Sequence, residues 1–535
     1  IFISYSFKKF GTKQGLNYDF VNDIIQDREG ILWIGTDIGI NQFKGERFQI
    51  YDESDGLIND IVWSILQDRK GSFWFGTNGG ISRFTFPITP HTDPFSSEPI
   101  VTNYTIKDGL RSSIIYSIFE DKQGALWFGT RNGGVCKLSP GSSKFEIFTT
   151  GIGLINNTVH SISEDKMGNL WFGTREGAFL FDPKTRVFKK PPGDNGVGRY
   201  KVYKIFKDSK DNLWFGILGG SLTMYDGKHY KKFGKDDGLK HKFILCITED
   251  KENNLWFGAY GGGIYKYDGK KFTNYSSKDG MSSDSPFFLT CDNNNNIWIG
   301  LSQGVDKFDQ KTKTFKHYGK QEGFFGVKTV QNAVCNDRQG NIWIGTIMGA
   351  VKYNPSKDMV NSFEPLTHIN KIRIHLIDRK FPVNATFAYS QNHITFHFIG
   401  VSLTNPEKVF YQHKLEGFDK EWSPHSKENF ITYSNLPGGK YTFMVKACNS
   451  DGKWNKQPTT YQFIVEKPWW QTWLFYTLCG LFVAGGFYSF VKIRTANLQK
   501  AKRILENKVS ERTKELSEAN KSITDSINYA SRIQD

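Results

Sequence analysis

The sequence predicts a mainly β protein with one β-propeller, one β-sandwich, one transmembrane helix and a C-terminal coiled-coil helix. Three observations predict this fold class. The pattern D-x5-W-x-G occurs eight times before residue 355, several alternating strands follow it, and residues 474–491 form an uncharged apolar run. We therefore expect domains at 1–355, 356–468, 469–491 and 492–535.

A repeated hairpin organises the first 355 residues. Its tryptophans are spaced 41 to 53 residues apart, a period typical of propeller blades. An aspartate precedes each tryptophan by six residues and a glycine follows it by two. The aspartate can accept hydrogen bonds from backbone amides of a turn, and the tryptophan supplies apolar area for packing between sheets. The pairs are Asp27 and Trp33, Asp68 and Trp74, Asp121 and Trp127, Asp165 and Trp171, Asp208 and Trp214, Asp250 and Trp256, Asp292 and Trp298, and Asp337 and Trp343.

The strand count predicts how the ring closes. Alternation around each hairpin indicates four short strands per repeat. The first three strands occur eight times, beginning at Val21, and the segment 7–11 (FKKFG) supplies an eighth outer strand. The two ends of the repeat region would then share one blade, which removes exposed sheet edges. We expect eight blades, with seven as the alternative.

The repeat resembles a known family. EDKQGALWFGTRNGG, EDKMGNLWFGT and the preceding KDGL or SDGL turns are similar to the two-component regulator propeller repeats of bacterial membrane sensors. Members of that family often carry two tandem seven-bladed propellers, whereas this sequence holds repeats for one. The resemblance therefore implies either a shorter sensor or one lacking upstream repeats, and it does not transfer a binding site.

Residues 356–468 have the pattern of an antiparallel sandwich of the immunoglobulin or fibronectin type. Strand-like segments run from KIRIHLI to TYQFIVE, and Tyr441 stands where a tyrosine corner is expected. The segment from Tyr411 to Asn455 resembles the Y_Y_Y domain, with Tyr411, Tyr433 and Tyr441 at its tyrosine positions. The resemblance implies that the domain relays propeller changes to the membrane; a rigid spacer is the alternative.

Residues 474–491 are long enough to cross a bilayer, since eighteen residues at about 1.5 Å each approach the thickness of the hydrocarbon layer. Tryptophans precede the run and basic residues follow it, which predicts a cytoplasmic C-terminal side. Glycines within it suit packed membrane helices better than a soluble hairpin. We expect a single-pass protein of the bacterial inner membrane, with propeller and sandwich in the periplasm. The flanking residues are Trp469, Trp470, Trp473, Lys492, Arg494, Lys500, Lys502 and Arg503.

The segment 492–535 predicts a parallel coiled coil, and therefore a homodimer. Leu498, Leu505 and Ala519 share one heptad position, and Val509, Leu516, Ile523 and Ala530 share the other. An amphipathic helix lying on the membrane is the alternative. LENKVSERTKELSEANKSI resembles the linker before output domains of membrane sensors, and ITDSINYASRIQD resembles the entry helix of SpoIIE-like phosphatases. The expected output is such a phosphatase or a histidine kinase.

Composition excludes several functions. The net charge is +15, but the basic residues are spread along the chain, so we expect no nucleic-acid partner. The six cysteines and the histidines show no metal-ligand or nucleophile spacing. We expect no cofactor, no metal and no catalytic residue, and hence no enzyme activity in this chain. The ligand-binding residues are unknown from sequence; the irregular insertion 87–99 in the second repeat is a candidate loop.

Together with the apolar span, the resemblance to regulator propellers implies the sensor region of a single-span receptor that binds an extracytoplasmic ligand. Abundant aromatic residues suit stacking on sugar rings, so carbohydrate is a candidate ligand. A membrane-anchored propeller enzyme or carbohydrate-binding protein acting on polysaccharide is the alternative, and a passive adhesion scaffold is a third.

Overall fold

The computed structural model describes residues 11–12, 16–43, 45, 47–87, 98–193, 196–220, 222–326, 328–358, 360–375, 377–379 and 384–531. The chain forms two compact units, Ile1–Val360 and Asn361–Asp535. Each is described by itself.

The first unit contains a ring of seven four-stranded antiparallel blades. Neighbouring inner strands pack side by side around the ring, and the last packs against the first. The inner strands are Val62–Gln67, Ile115–Glu120, Val159–Glu164, Val202–Lys207, Ile244–Glu249, Phe288–Cys291 and Thr329–Asn336. The second strands are Phe73–Thr77, Leu126–Thr130, Leu170–Thr174, Leu213–Ile217, Leu255–Ala259, Ile297–Leu301 and Ile342–Thr346. The third strands are Ile81–Thr85, Val135–Leu138, Gly177–Asp182, Leu222–Tyr225, Gly263–Tyr267, Gly304–Asp309 and Gly349–Tyr353. The outer strands are Ile100–Tyr104, Phe145–Phe148, Val187–Lys189, Tyr230–Phe233, Phe272–Tyr275, Thr314–Tyr318 and, for blade 7, Phe48–Tyr51.

The ring has seven blades, so the eight-bladed expectation is wrong and the alternative count is correct. The outer strand of blade 7 is Phe48–Tyr51, which pairs with Gly349–Tyr353. Tyr51 is buried and stacks on Trp343 at 5.1 Å between ring centroids. Because of these contacts, Phe48–Tyr51 belongs to blade 7 and not to the first repeat, which precedes it in sequence. The ends of the repeat region do share one blade, as predicted, but through a different strand.

The first repeat forms a separate three-stranded sheet of Val21–Gln26, Leu32–Thr36 and Gly39–Phe43. Its apolar residues stay open to solvent: Ile25 is 64% exposed and Ile40 is 72% exposed. The expected outer strand at 7–11 lies almost wholly outside the described residues. This repeat has the sequence of a blade but does not enter the ring.

Buried tryptophans hold adjacent blades together. Each ring tryptophan is at most 2% exposed and contacts an aromatic residue of the next blade. The contact that closes the ring joins Trp343 to Phe75, with 5.8 Å between centroids. Such aromatic pairs bury large apolar areas, which drives radial stacking of sheets that have two apolar faces.

The repeated aspartates form the turns, as predicted, and also bind the tryptophans. In blade 5, Asp250 Oδ1 accepts the backbone N–H groups of Glu252 and Asn254 at 2.9 Å each. Asp250 Oδ2 accepts the indole N–H of Trp256 at 2.9 Å. All eight repeats make this indole bond, at 2.7 to 3.1 Å. The motif therefore couples a turn to a buried side chain.

The second unit begins with a sandwich of two four-stranded sheets. One sheet has the order Ile377–Arg379, Leu366–Ile374, Ile394–Val401 and Phe430–Tyr433. The other has the order Ala385–Phe387, Thr459–Val465, Gly439–Cys448 and Phe410–Glu416. Phe396 and Phe443 stack between the sheets at 4.1 Å.

Hydrogen bonds of three tyrosine hydroxyls stabilise the sandwich. Tyr441 donates its hydroxyl to the Pro437 carbonyl at 2.8 Å, which confirms the predicted tyrosine corner. Tyr433 donates to Asp419 at 2.8 Å, and the Tyr411 hydroxyl accepts the Gly400 N–H at 3.1 Å. Buried hydroxyls with partners fix the strand positions because leaving them unpaired would cost free energy.

One helix, Trp473–Ser531, ends the described chain. Its apolar part has a mean hydropathy of 1.7, and it is the one helix among the described residues that is long and apolar enough to cross a membrane. None of that window is buried against the rest of the chain. A fully exposed apolar helix of this length is stable in lipid, where its backbone polar groups are paired internally.

Candidate functional site at the mouth of the ring

Four ring side chains from consecutive inner strands lie next to one another. They are Trp63, Tyr116, His160 and Tyr203, each the second residue of its inner strand in blades 1 to 4. The ring centroids are 5.0 Å apart between Trp63 and Tyr116, 5.1 Å between Tyr116 and His160, and 5.4 Å between His160 and Tyr203. All four are half-buried. We call this set the aromatic arc.

The arc lies at one end of the ring, where the turns between second and third strands are found. Trp63 donates its indole N–H to the Asn78 side-chain oxygen at 2.7 Å, and Asn78 directly follows the second strand of blade 1. The Asn78 backbone N–H bonds to the Ile61 carbonyl at 3.2 Å. These bonds hold Trp63, at the edge of the arc, against the loop that follows the second strand. We call this end of the ring the mouth.

His160 is a neutral polar group within the arc. Burial, together with the nearby charges of Lys201 and Arg175, lowers the pKa of His160 to about 3. Its Nε2 atom is buried and has no hydrogen-bond partner among the described residues. A neutral imidazole nitrogen can donate or accept one hydrogen bond, depending on the tautomer. The arc therefore offers an unused hydrogen-bonding atom between two tyrosine rings.

Basic residues occupy the mouth in blades 2 to 4. The Lys201 ammonium lies 4.3 Å from the centre of the Tyr203 ring. Arg131 and Arg175 directly follow the second strands of blades 2 and 3, and both are exposed. Their backbone N–H groups bond to the carbonyls of Ile114 and Thr158, at 3.0 and 3.3 Å. The corresponding turn residues of the other blades carry no positive charge: Asn78, Leu218, Tyr260, Ser302 and Ile347.

On the other side of the ring, the inner strand of blade 7 bonds to the two blades before it. Asn332 has a positive φ of 59° and lies in a register shift of that strand. Its backbone N–H bonds to the Phe287 carbonyl, and its side-chain N–H bonds to the Leu245 carbonyl, both at 3.0 Å. One residue thus links the inner strands of blades 5, 6 and 7. The arc therefore belongs to blades 1 to 4, whereas the Asn332 bonds join blades 5 to 7.

The described part of the chain shows no cluster of metal-ligating side chains. The repeated aspartates serve their turns, and no group of three His, Cys, Asp or Glu residues there could hold a metal ion. The candidate loop 87–99 lies mostly outside the described residues. Sequence reasoning missed the arc, although a signal was present. The residue five positions before the repeat aspartate is Trp63, Tyr116, His160, Tyr203, Leu245, Phe287 and Asn332 in blades 1 to 7.

Comparison with known families matches both β domains. The two component regulator propeller model matches residues 15–37, 56–79, 109–132, 153–176, 238–261 and 325–348. The Y_Y_Y domain model matches residues 402–466. The chain carries two-component regulator propeller repeats followed by a Y_Y_Y domain. Both resemblances expected from sequence are confirmed.

Solved structures share the fold of this regulator propeller. The extracellular domain of a hybrid two component system from B. thetaiotaomicron superposes with a TM-score of 0.70 and 24% identity, over 86% of this chain and 63% of that chain. A second such extracellular domain from the same organism gives a TM-score of 0.50 and 22% identity, over 85% and 64%. The chain thus spans less than two thirds of both relatives.

A curated relative matches over part of the chain. Histidine kinase P4 of Formosa agariphila is 24% identical over 234 residues, which is 41% of this chain and 17% of that protein. The regulator propeller repeats and the Y_Y_Y domain make this chain similar to the extracellular domains of two-component proteins. The apolar helix is one candidate membrane span among the described residues.

Proposed function

We propose that this chain is the sensing region of a single-span receptor in the bacterial inner membrane. Its propeller binds a periplasmic ligand, for which carbohydrate is the candidate class. The Y_Y_Y domain and the helix transmit binding to a cytoplasmic SpoIIE-like phosphatase or histidine kinase.

The long helix is the observation that carries this proposal. It continues for 59 residues without a break, from the tryptophans through the apolar run into the charged segment. At 1.5 Å per residue it extends about 90 Å, well beyond the hydrocarbon layer. At its start, Trp470 contacts Tyr389 of the sandwich, with 5.5 Å between centroids. A movement of the sandwich can therefore reach the far end of a rigid element.

The orientation is testable with protease. Tryptophans at the N-terminal end and basic residues at the C-terminal end favour a periplasmic propeller. Protease added to intact spheroplasts should digest the propeller and leave a membrane-protected C-terminal fragment. Digestion of the C-terminal segment with an intact propeller would refute the orientation.

The aromatic arc is the proposed ligand site. Sugar rings present apolar C–H faces that pack on aromatic rings, while a few polar groups set their orientation. We expect saturable binding of an oligosaccharide to the full chain in detergent, and a loss of at least tenfold in affinity for Tyr203→Ala. Phe418→Ala, an exposed aromatic of the sandwich, is the control and should bind normally. Turnover of the saccharide in place of saturable binding would support the alternative of a membrane-anchored enzyme.

Signalling is proposed to use a homodimer formed through the C-terminal helix. The predicted seam includes Leu505 and Leu516, which are 63% and 67% exposed in the single chain. Disulfide crosslinking in a Cys479→Ala background should trap dimers at Leu505→Cys and Leu516→Cys. Asn507→Cys, on the opposite helix face, is the matched control and should crosslink weakly.

Ligand dependence distinguishes a signalling dimer from a constitutive one. A ligand shifts a two-state equilibrium only if it binds the two states with different affinities. Crosslinking at Leu505 should therefore change when a bound oligosaccharide is added. Monomers alone at both seam positions would exclude the dimer.

A further inference from the structure

We infer that the ligand of the aromatic arc is an acidic oligosaccharide, whose carboxylate or sulfate groups pair with Arg175, Lys201 and Arg131. The inference deepens the proposed function and rests on it. The observation behind it is that blades 2 to 4 each carry one ring of the arc and one basic residue of the mouth.

Lys201 and Arg175 are close to the arc. Lys201 lies over Tyr203 at 4.3 Å, and both cations are near enough to His160 to depress its pKa. Within the described residues, neither cation nor Arg131 takes part in an ion pair. Two cations beside the arc favour an anionic ligand, because their charges act together on it.

Three acidic side chains of the mouth, including Glu176 next to Arg175, keep their negative charge and accept hydrogen bonds from neutral groups. Glu176 accepts the side-chain N–H of Asn156 at 2.9 Å. Asp60 and Asp284 belong to blades 1 and 6, where they accept backbone amides of Glu53 and Ser277 at 2.8 and 2.6 Å. Positive charge also occurs in blade 7, where the Lys328 ammonium lies 6.0 Å from the centre of the Phe287 ring, but blades 2 to 4 together carry Arg131, Arg175 and Lys201.

The geometry matches the two surfaces of an acidic sugar. A pyranose presents apolar C–H groups, which contact the exposed parts of the Tyr116 and Tyr203 rings, whereas its polar substituents project around the sugar ring. A guanidinium binds a carboxylate or sulfate through two parallel hydrogen bonds, and an ammonium acts as a point charge. One ligand can satisfy both features at once.

The test compares ligands that differ in charge. Tetragalacturonate and its fully methyl-esterified, neutral form are titrated into the full chain in nanodiscs by calorimetry. A chondroitin sulfate tetrasaccharide and its desulfated form serve as the sulfate arm. We expect at least one acidic probe to bind ten or more times more tightly than its paired probe of lower charge, with an affinity that falls as salt rises.

Variants separate specific pairing from general attraction to a basic protein. Arg175→Gln combined with Lys201→Gln should reduce the preference for the acidic probe to twofold or less. Lys231→Gln is the matched control, since Lys231 also lies over a ring of blade 4, at 4.8 Å from the centre of Phe233, but on the outer strand. It should leave both affinities unchanged.

Each of the remaining outcomes contradicts the acidic ligand class, the saccharide site or both. Equal binding of the paired probes, abolished by Tyr203→Ala, would overturn the acidic class and leave the saccharide site intact. A preference for acid that survives the double variant would place the attraction elsewhere and overturn the inference. Failure of all four probes to bind folded protein would overturn both proposals at this site. Displacement of the acidic probe by single-stranded DNA at equal concentration would also reject the saccharide class.

Discussion

Removal of one repeat aspartate tests the idea that this carboxylate binds a turn and a buried indole together. In Asp250→Ala, the N–H of the fully buried Trp256 loses its acceptor, which costs about 1–3 kcal/mol. The two backbone bonds from Glu252 and Asn254 are lost as well, at about 0.5–1.5 kcal/mol each. We expect the free energy of unfolding to fall by about 4 kcal/mol in total, a large share of a domain's stability.

The assay is urea unfolding of the full chain in detergent, followed by tryptophan fluorescence. Asp268→Ala is the matched control within blade 5. Asp268 accepts the backbone N–H groups of Lys270 and Lys271 at 2.8 and 2.9 Å, in a turn that is open to water. Water can replace those bonds, so this variant should lose clearly less stability.

A double-mutant cycle isolates the indole bond. Trp256→Phe keeps an aromatic ring but removes the N–H donor. Combined with Asp250→Ala, it should show a coupling energy of about 1–3 kcal/mol. If Asp250→Ala costs no more than Asp268→Ala, or if the coupling is zero, the repeat aspartate is only a turn former and the reasoning is wrong.

Three further predictions follow from single contacts. Burial raises the pKa of Asp250, but hydrogen bonds from Trp256 and Asn254 outweigh this effect and hold the pKa below its usual value. The free energy of unfolding should therefore fall as pH drops from about 4 toward the folded-state pKa. Asp250→Asn should flatten this dependence in urea titrations at pH 2.5–7. Asp358→Ala removes the carboxylate that pairs with the mostly buried Arg47, 3.0 Å away, and that accepts the Tyr318 and Tyr353 hydroxyls. The free energy of unfolding should fall by about 3–5 kcal/mol in the same assay. A fall of less than about 1 kcal/mol would contradict this. Tyr441→Phe should cost about 1 kcal/mol, visible as faster amide exchange in the sandwich with unchanged exchange in the propeller.

The blade count shows where sequence reasoning stops. The first repeat has the same aspartate, tryptophan and glycine as the others, so its sequence gives no reason to exclude it from the ring. Its exclusion follows from Phe48–Tyr51, which pairs with blade 7 instead. That choice depends on contacts between residues about 300 positions apart, such as Tyr51 with Trp343 and Arg47 with Asp358. Periodicity reports local strands and not their distant partners.

The aromatic arc was hidden for a related reason. Each of its residues is one of many aromatics in a repeat whose rings mostly pack between blades. Only ring closure brings the second residues of four inner strands to centroid distances of 5.0 to 5.4 Å. The basic residues beside it are likewise scattered in sequence, at positions 131, 175 and 201, and meet only at the mouth.

Local chemistry in the sequence determined the strands, the aspartate turns, the tyrosine corner and the apolar span, because each depends on residues close together in the chain or on the length of one run. The tertiary structure decided the number of blades, the strand that closes the ring and the location of the arc. These features depend on which distant surfaces bury each other, and the free energy of that burial is a property of the packed ring rather than of any single repeat.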